Sequence, residues 1–145
     1  MWDVSKNSPF IAFALQRMGT ERSFPVDNWT KGGLGAEVDL ETGELGEAVT
    51  FPRSGKLTWY KNHPSSGSKI EGIVVPHWSH VQSEILDVAR SLPFLPYIGW
   101  DIVVTENGFK IIEGNNNSDV NLLQVHRPLL LDPRIADFYK KYKVI

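Results

Sequence analysis

Three oxygen-bearing residues in the last third of the chain could do chemistry together: Asp101, Glu113 and Asn115, within the run YIGWDIVVTENGFKIIEGNNN. Two carboxylates and a carboxamide are hard donors of the kind magnesium takes, with water and phosphate oxygens completing its shell. To share one ion, the chain must fold back on itself. The ENG at 106–108 is a tight-turn signal, because Asn and Gly tolerate positive φ, and the apolar runs at about 98–105 and 109–113 predict an antiparallel hairpin. Side chains alternate along a strand, so Asp101 shares a face with Gly99 and Val103, opposite to Trp100, Ile102 and Val104. Glu113 and Asn115 are two apart and share a face as well. Ile112 then points the other way, into a core or against a flat apolar ligand. Whether the register brings Asp101 to Glu113 is a separate question that alternation leaves open. Adjacent carboxylates repel, which makes such a pair expensive without a cation. On residue type alone a plainer outcome is commoner: a polar EGNNN loop, with Asp101 capping a turn or pairing with a lysine.

The elements that must position these residues read as α+β, an antiparallel sheet packed with helices. The apolar segment 10–18, FIAFALQRM, fits a strand or a short buried helix, and the strand is preferred since a Gly and a polar turn follow at once. In DNWTKGGLGAEVDLETGELG, three glycines make a turn, AEVDL is a short strand with Ala36, Val38 and Leu40 on one face, and ETGE turns into a second strand ending near Val49. Asp39 belongs to that turn. Residues 52–68 are mostly loop, with LTWY briefly extended, and IEGIVV at 70–75 predicts a strand that runs into Pro76, which either stops it or opens the following helix. Trp78, Val81, Ile85, Val88 and Leu92, spaced by threes and fours, form one helical stripe that ends before Pro93. A short amphipathic helix in DPRIADFYKKYK turns Ile135, Phe138 and Tyr139 inward.

At 145 residues the default is one domain, 1–145. With 41% hydrophobic and 22% charged residues and a net charge of -2, the chain has no basic excess for a nucleic-acid backbone. It has no cysteine, so any metal is held by oxygen or imidazole. The apolar runs are too short for membrane insertion and the first ten residues lack a signal-peptide pattern, which makes a cytoplasmic protein the plain expectation. Five tryptophans are packing residues whose indole N–H should find local partners.

The run around the acids, together with DNWTKGGLGAEVDLETGELG and HPSSGSKIEGIVVPHW, resembles the sugar-transfer-associated branch of the ATP-grasp superfamily, related to alpha-L-glutamate ligase. The three motifs occur in the family's order and cover roughly residues 10–131. The resemblance implies the C-terminal catalytic subdomain of an ATP-grasp fold, with ATP and Mg2+ as cofactors. Asp101 is then the acid on one strand and Glu113, Gly114 and Asn115 the ExN on the next, Glu113 bridging two ions. Family members activate a small-molecule carboxylate as an acylphosphate that an amine or similar nucleophile attacks. Magnesium and cationic donors offset the repulsion between the two anions. Arg17 and His63 are the catalytic candidates; a surface salt bridge competes for the first and loop ordering for the second. Lys31 is a phosphate contact in the same scheme, beside two glycines whose N–H groups can approach a phosphate, although a solvated lysine is the simpler alternative. Arg53 and Lys56 are weaker candidates. Asp27 and Asn28 either bind substrate or brace the glycine turn. His77 and His80 lack the third ligand a zinc site needs. The family's upstream nucleotide-clamp portion has no counterpart before residue 30, so the expectation is a domain completed by a missing half or a partner chain. The alternative is a non-catalytic binding or interaction module that keeps the fold.

Overall fold

The computed structural model describes residues 1–145, and these divide into two compact units, 13–75 and the combination of 1–12 with 76–145.

The first unit is built on a four-stranded antiparallel sheet in the order β3-β4-β5-β6, with β3 at Leu15–Met18, β4 at Leu34–Val38, β5 at Leu45–Thr50 and β6 at Trp59–Tyr60. β4 turns Leu34, Ala36 and Val38 to one buried face, with Gly35 buried as well and Glu37 half-exposed, and Leu45, Ala48 and Val49 of β5 are buried alongside them. Leu40, expected on the same face, lies past the strand end. The turn begins one residue earlier because the Asp39 carboxylate accepts from the N–H groups of Glu41 and Thr42 (3.0 and 2.7 Å) and from the Thr42 hydroxyl (2.8 Å). Trp29 fills the core, and its indole N–H donates to the Val49 carbonyl at 3.0 Å.

Two expected strands are corrected here. Of segment 10–18, only Leu15–Met18 pairs as a strand; the boundary between the two units falls after Ala12, and the earlier residues spend their backbone elsewhere. The Ala12 carbonyl, for instance, accepts from the Arg127 guanidinium at 3.2 Å. IEGIVV makes no strand because Gly72, at φ 79, turns the chain within it. Ile70 and Val75 are buried on either side of that turn, and Val74 forms only an isolated bridge with Glu44.

In the second unit, β1 (Trp2–Asp3) pairs with β2 (Ser8–Pro9). Helix α1, Trp78–Ser91, buries Val81 and Ile85 from the predicted stripe and ends two residues before Pro93. β7 (Gly99–Thr105) and β8 (Gly108–Asn115) form the predicted hairpin. It is followed by α2 (Asn121–His126), a 3-10 turn at Leu129–Leu131 and α3 (Pro133–Lys141). α3 starts where Asp132 caps it, accepting from Arg134 N–H at 2.9 Å with Pro133 in the first turn, and it buries Ile135 and Phe138 as expected. No helix is long and apolar enough to cross a membrane.

Candidate metal centre on the carboxylate hairpin

The hairpin ladder runs regularly from the turn, Thr105 against Gly108, up to Ile102 against Ile111. Continued without interruption, it would set Asp101 against Ile112 and Trp100 against Glu113, with the two carboxylates on opposite faces. A register shift between Asp101 and Ile102 takes up Ile112 as an extra residue. Beyond it Asp101 faces Glu113, Trp100 faces Gly114 and Gly99 faces Asn115. Residues directly opposite share a face with Cβ atoms roughly 5 Å apart, so Asp101, Glu113 and Asn115 lie together at the open end. The Asn115 amide donates to Glu113 Oε1 at 3.1 Å. Asp101 is half-buried while Glu113 and Asn115 are exposed, and Ile112 is 61% exposed.

Gly114 has a packing reason. A Cβ there would meet the Trp100 ring at 2.9 and 3.2 Å and Ile98 at 3.3 Å, so the indole lies across the strand on the face away from the acids. At the turn end, the His77 ring bonds through Nε2 to the Glu106 carbonyl at 3.0 Å, and His80 meets the Phe109 ring edge-on at 5.4 Å. The two histidines thus engage different partners. No group of three or more His, Asp or Glu side chains is placed to hold a metal; the hairpin contributes two carboxylates, and its third donor is an amide.

The remaining candidates belong to the unit 13–75. Arg17, on β3, grips Asp27 in a two-point pair, Nε to Oδ2 at 3.0 Å and Nη2 to Oδ1 at 2.7 Å. That hydrogen-bonded guanidinium holds the Asp27 carboxyl below its usual range. Asn28 caps the 3-10 turn Trp29–Lys31, accepting from the N–H and hydroxyl of Thr30 at 3.0 and 2.7 Å. The N–H groups of Lys31 and Gly33 donate to the Asn28 carbonyl and that of Gly32 to the Trp29 carbonyl, at 3.0 to 3.1 Å. The expected cradle of glycine amides is therefore corrected: those donors are consumed inside the turn, and Lys31 presents only its exposed side chain. Gly33 is required by close approach, because a Cβ would lie 2.3 Å from the Asp27 carbonyl oxygen.

His63 is tied at both ring nitrogens. Nδ1 accepts from the N–H groups of Ser65 and Ser66, each at 3.3 Å, which leaves the proton on Nε2 to donate to the Gly19 carbonyl at 2.7 Å. This is loop ordering, and it places the imidazole beside Asp27 and Phe24 in the wall of an open cleft. Tyr97 and Ser118, which no motif singles out, pack with Gly99 around the open end of the hairpin. The one available signal was Gly99, a glycine in an otherwise branched and aromatic strand.

An α+β protein with antiparallel sheets, whose last hairpin carries two paired carboxylates and an amide, defines the class. Residues 4–139 match the family described as sugar-transfer associated ATP-grasp, and the chain belongs to that family. No curated protein and no solved structure gives a significant match.

Proposed function

We propose that this chain is the metal-holding C-terminal catalytic subdomain of an ATP- and magnesium-dependent carboxylate ligase, which forms an acylphosphate for attack by an amine or similar nucleophile. The observation that carries the proposal is the Asp101–Glu113 cross-strand pair with Asn115 one alternation further on. Membership of the ATP-grasp family supports the choice of ATP as the phosphoryl donor. The donor set fits magnesium in kind, since all three side chains offer hard oxygens. To ligate, Asn115 must present its carbonyl oxygen, which requires release of the Nδ2 bond to Glu113 and a half-turn of the amide. When bound, the ion supplies charge neutralisation and orientation for the transferring phosphoryl group.

The protein's own residues do the rest. Asp101 and Glu113 hold negative charge at one fixed spot on a paired ladder, where two carboxylates favour a divalent cation between them. Ile112, exposed beside Glu113, offers apolar contact to the nucleotide. Lys31 offers an ammonium to an anion, while Arg17 and His63 act by bracing the 19–27 loop through Asp27 and Gly19.

The test is ATP turnover, followed as phosphate release in the presence of magnesium and a panel of small carboxylates. Glu113→Gln, which keeps shape and removes charge, is expected to lower phosphate release at least a hundredfold with an unchanged circular dichroism spectrum, the loss of one interaction worth about 3 kcal/mol in the transition state. A wild type that turns over ATP and a variant that does so at the same rate remove Glu113 from the mechanism.

A further inference from the structure

Gly99 is the only residue of β7 without a side chain, and it pairs with Asn115 at the open end of the hairpin. A Cβ built on it would lie 1.8 Å from Ser118 Oγ and 2.7 Å from Ser118 Cβ. Ser118 therefore occupies the space into which residue 99 would project. By alternation, that space is on the face that carries Asp101. The Ser118 hydroxyl donates to the Asn115 carbonyl at 3.2 Å, and the Ser118 carbonyl accepts from the Tyr97 hydroxyl at 2.9 Å.

Tyr97 leads into β7 and Ser118 lies just beyond β8, so these bonds join the two chain segments where the main-chain ladder stops. A strand end of this kind frays unless something holds it. Tyr97 is itself held by α3: its ring centroid lies 6.2 Å from that of Phe138. Burial, and then the neighbouring Tyr139, push the Tyr97 hydroxyl up to about 12, which keeps it a donor across the neutral range. Asn115 is thus gripped through its main chain by Ser118, while its side chain meets Glu113.

We propose that Tyr97 and Ser118 form a latch that positions Asn115 beside Glu113, with Gly99 supplying the room. They are positioning residues, and their bearing on a bound cation rests on the magnesium reading above.

The experiment has two arms so that each idea can fail alone. In the first, the side-chain amide resonances of Asn115, identified by their loss in Asn115→Ala, are followed in Tyr97→Phe and Ser118→Ala. Ser91→Ala serves as the control, since it removes another serine-to-carbonyl bond, Ser91 to Val88 at 2.7 Å, remote in sequence from the hairpin. Both latch variants should move the amide pair toward the position of a solvent-exposed asparagine, and the control should not. Resonances unmoved in both latch variants overturn the latch. In the second arm, Mn2+ is titrated into each protein and free Mn2+ is read by electron paramagnetic resonance. Affinity about tenfold weaker in both latch variants supports their service to the metal, as expected for residues that orient ligands. Affinity equal to wild type overturns that service. Absence of Mn2+ binding in the wild type, with the amide shifts still seen, overturns the magnesium reading and leaves the latch standing.

Discussion

Replacing Gly33 by alanine should damage this protein far more than its single added methyl suggests. Gly33 is buried at the end of the DNWTKGG turn, and its φ is not in the left-handed region, so the effect is one of space alone. The new Cβ would stand 2.3 Å from the Asp27 carbonyl oxygen, 2.8 Å from its carbon and 3.0 Å from the Asn28 oxygen, all main-chain atoms that cannot swing aside. Relieving the clash displaces the peptide between Asp27 and Asn28 and stretches the Gly33 N–H bond to the Asn28 carbonyl, now 3.0 Å. Overpacking of this order costs about 2 kcal/mol, and loss of the hydrogen bond about 1 kcal/mol more. Together these correspond to a fall of roughly 10 °C in melting temperature for a protein of this size. Scanning calorimetry of Gly33→Ala beside Gly67→Ala measures it. Gly67 has φ +74 and open space around it, so its alanine variant bears only the left-handed penalty of about 1–2 kcal/mol. A Gly33→Ala protein that melts within two degrees of wild type, or no lower than Gly67→Ala, refutes the steric argument.

Trp29→Phe keeps most of the buried ring but strips the donor from the Val49 carbonyl, and urea denaturation should show a loss of about 1–2 kcal/mol. Asp132→Asn keeps a capping oxygen for α3 but loses the charge paired with Arg134. The Asp132 carboxyl is held low, first by Arg134, so its contribution is fully present above the ordinary carboxylate range near pH 4 and is lost as pH falls through the depressed folded value. The stability gap between wild type and Asp132→Asn should therefore be constant from pH 5 to 7 and close on acidification below about pH 4; denaturant titrations at stepped pH check it, and a gap that widens in acid contradicts the assignment.

The elements legible in the sequence were those whose signal is local and repeated. The 78–92 stripe, the ENG hairpin and the capped Asp132 helix each combine periodicity with a turn or cap residue, and each appears where expected. The misses come from context. Segment 10–14 is as apolar as a strand, but residues 10–12 belong to a different unit from 13–18. IEGIVV has strand composition, and one glycine with positive φ decides against it. The glycine amides after Lys31 looked available to an anion because nothing in the motif reveals that Asn28 and Trp29 turn their carbonyls onto them. The three proposed ligands could be named from residue type and from resemblance to the family. Their juxtaposition could not, because it depends on a shift at Ile112 that leaves no trace in hydrophobic alternation.

That irregularity at Ile112 makes the meeting of the two acids depend on how one extra residue is housed in the arm between Gly108 and Glu113. Exchanging residues at the 106–108 tip leaves the count intact and touches stability alone. Removing a single residue anywhere from 109 to 112 leaves three residues to pair with 102–104, so the strands close in phase with Glu113 still opposite Asp101 and no extra residue to house. Keeping all four residues while straightening the arm into an unbroken ladder does the opposite: Glu113 then falls opposite Trp100, and the acidic pair is unmade without disturbing a single buried side chain of the 13–75 sheet.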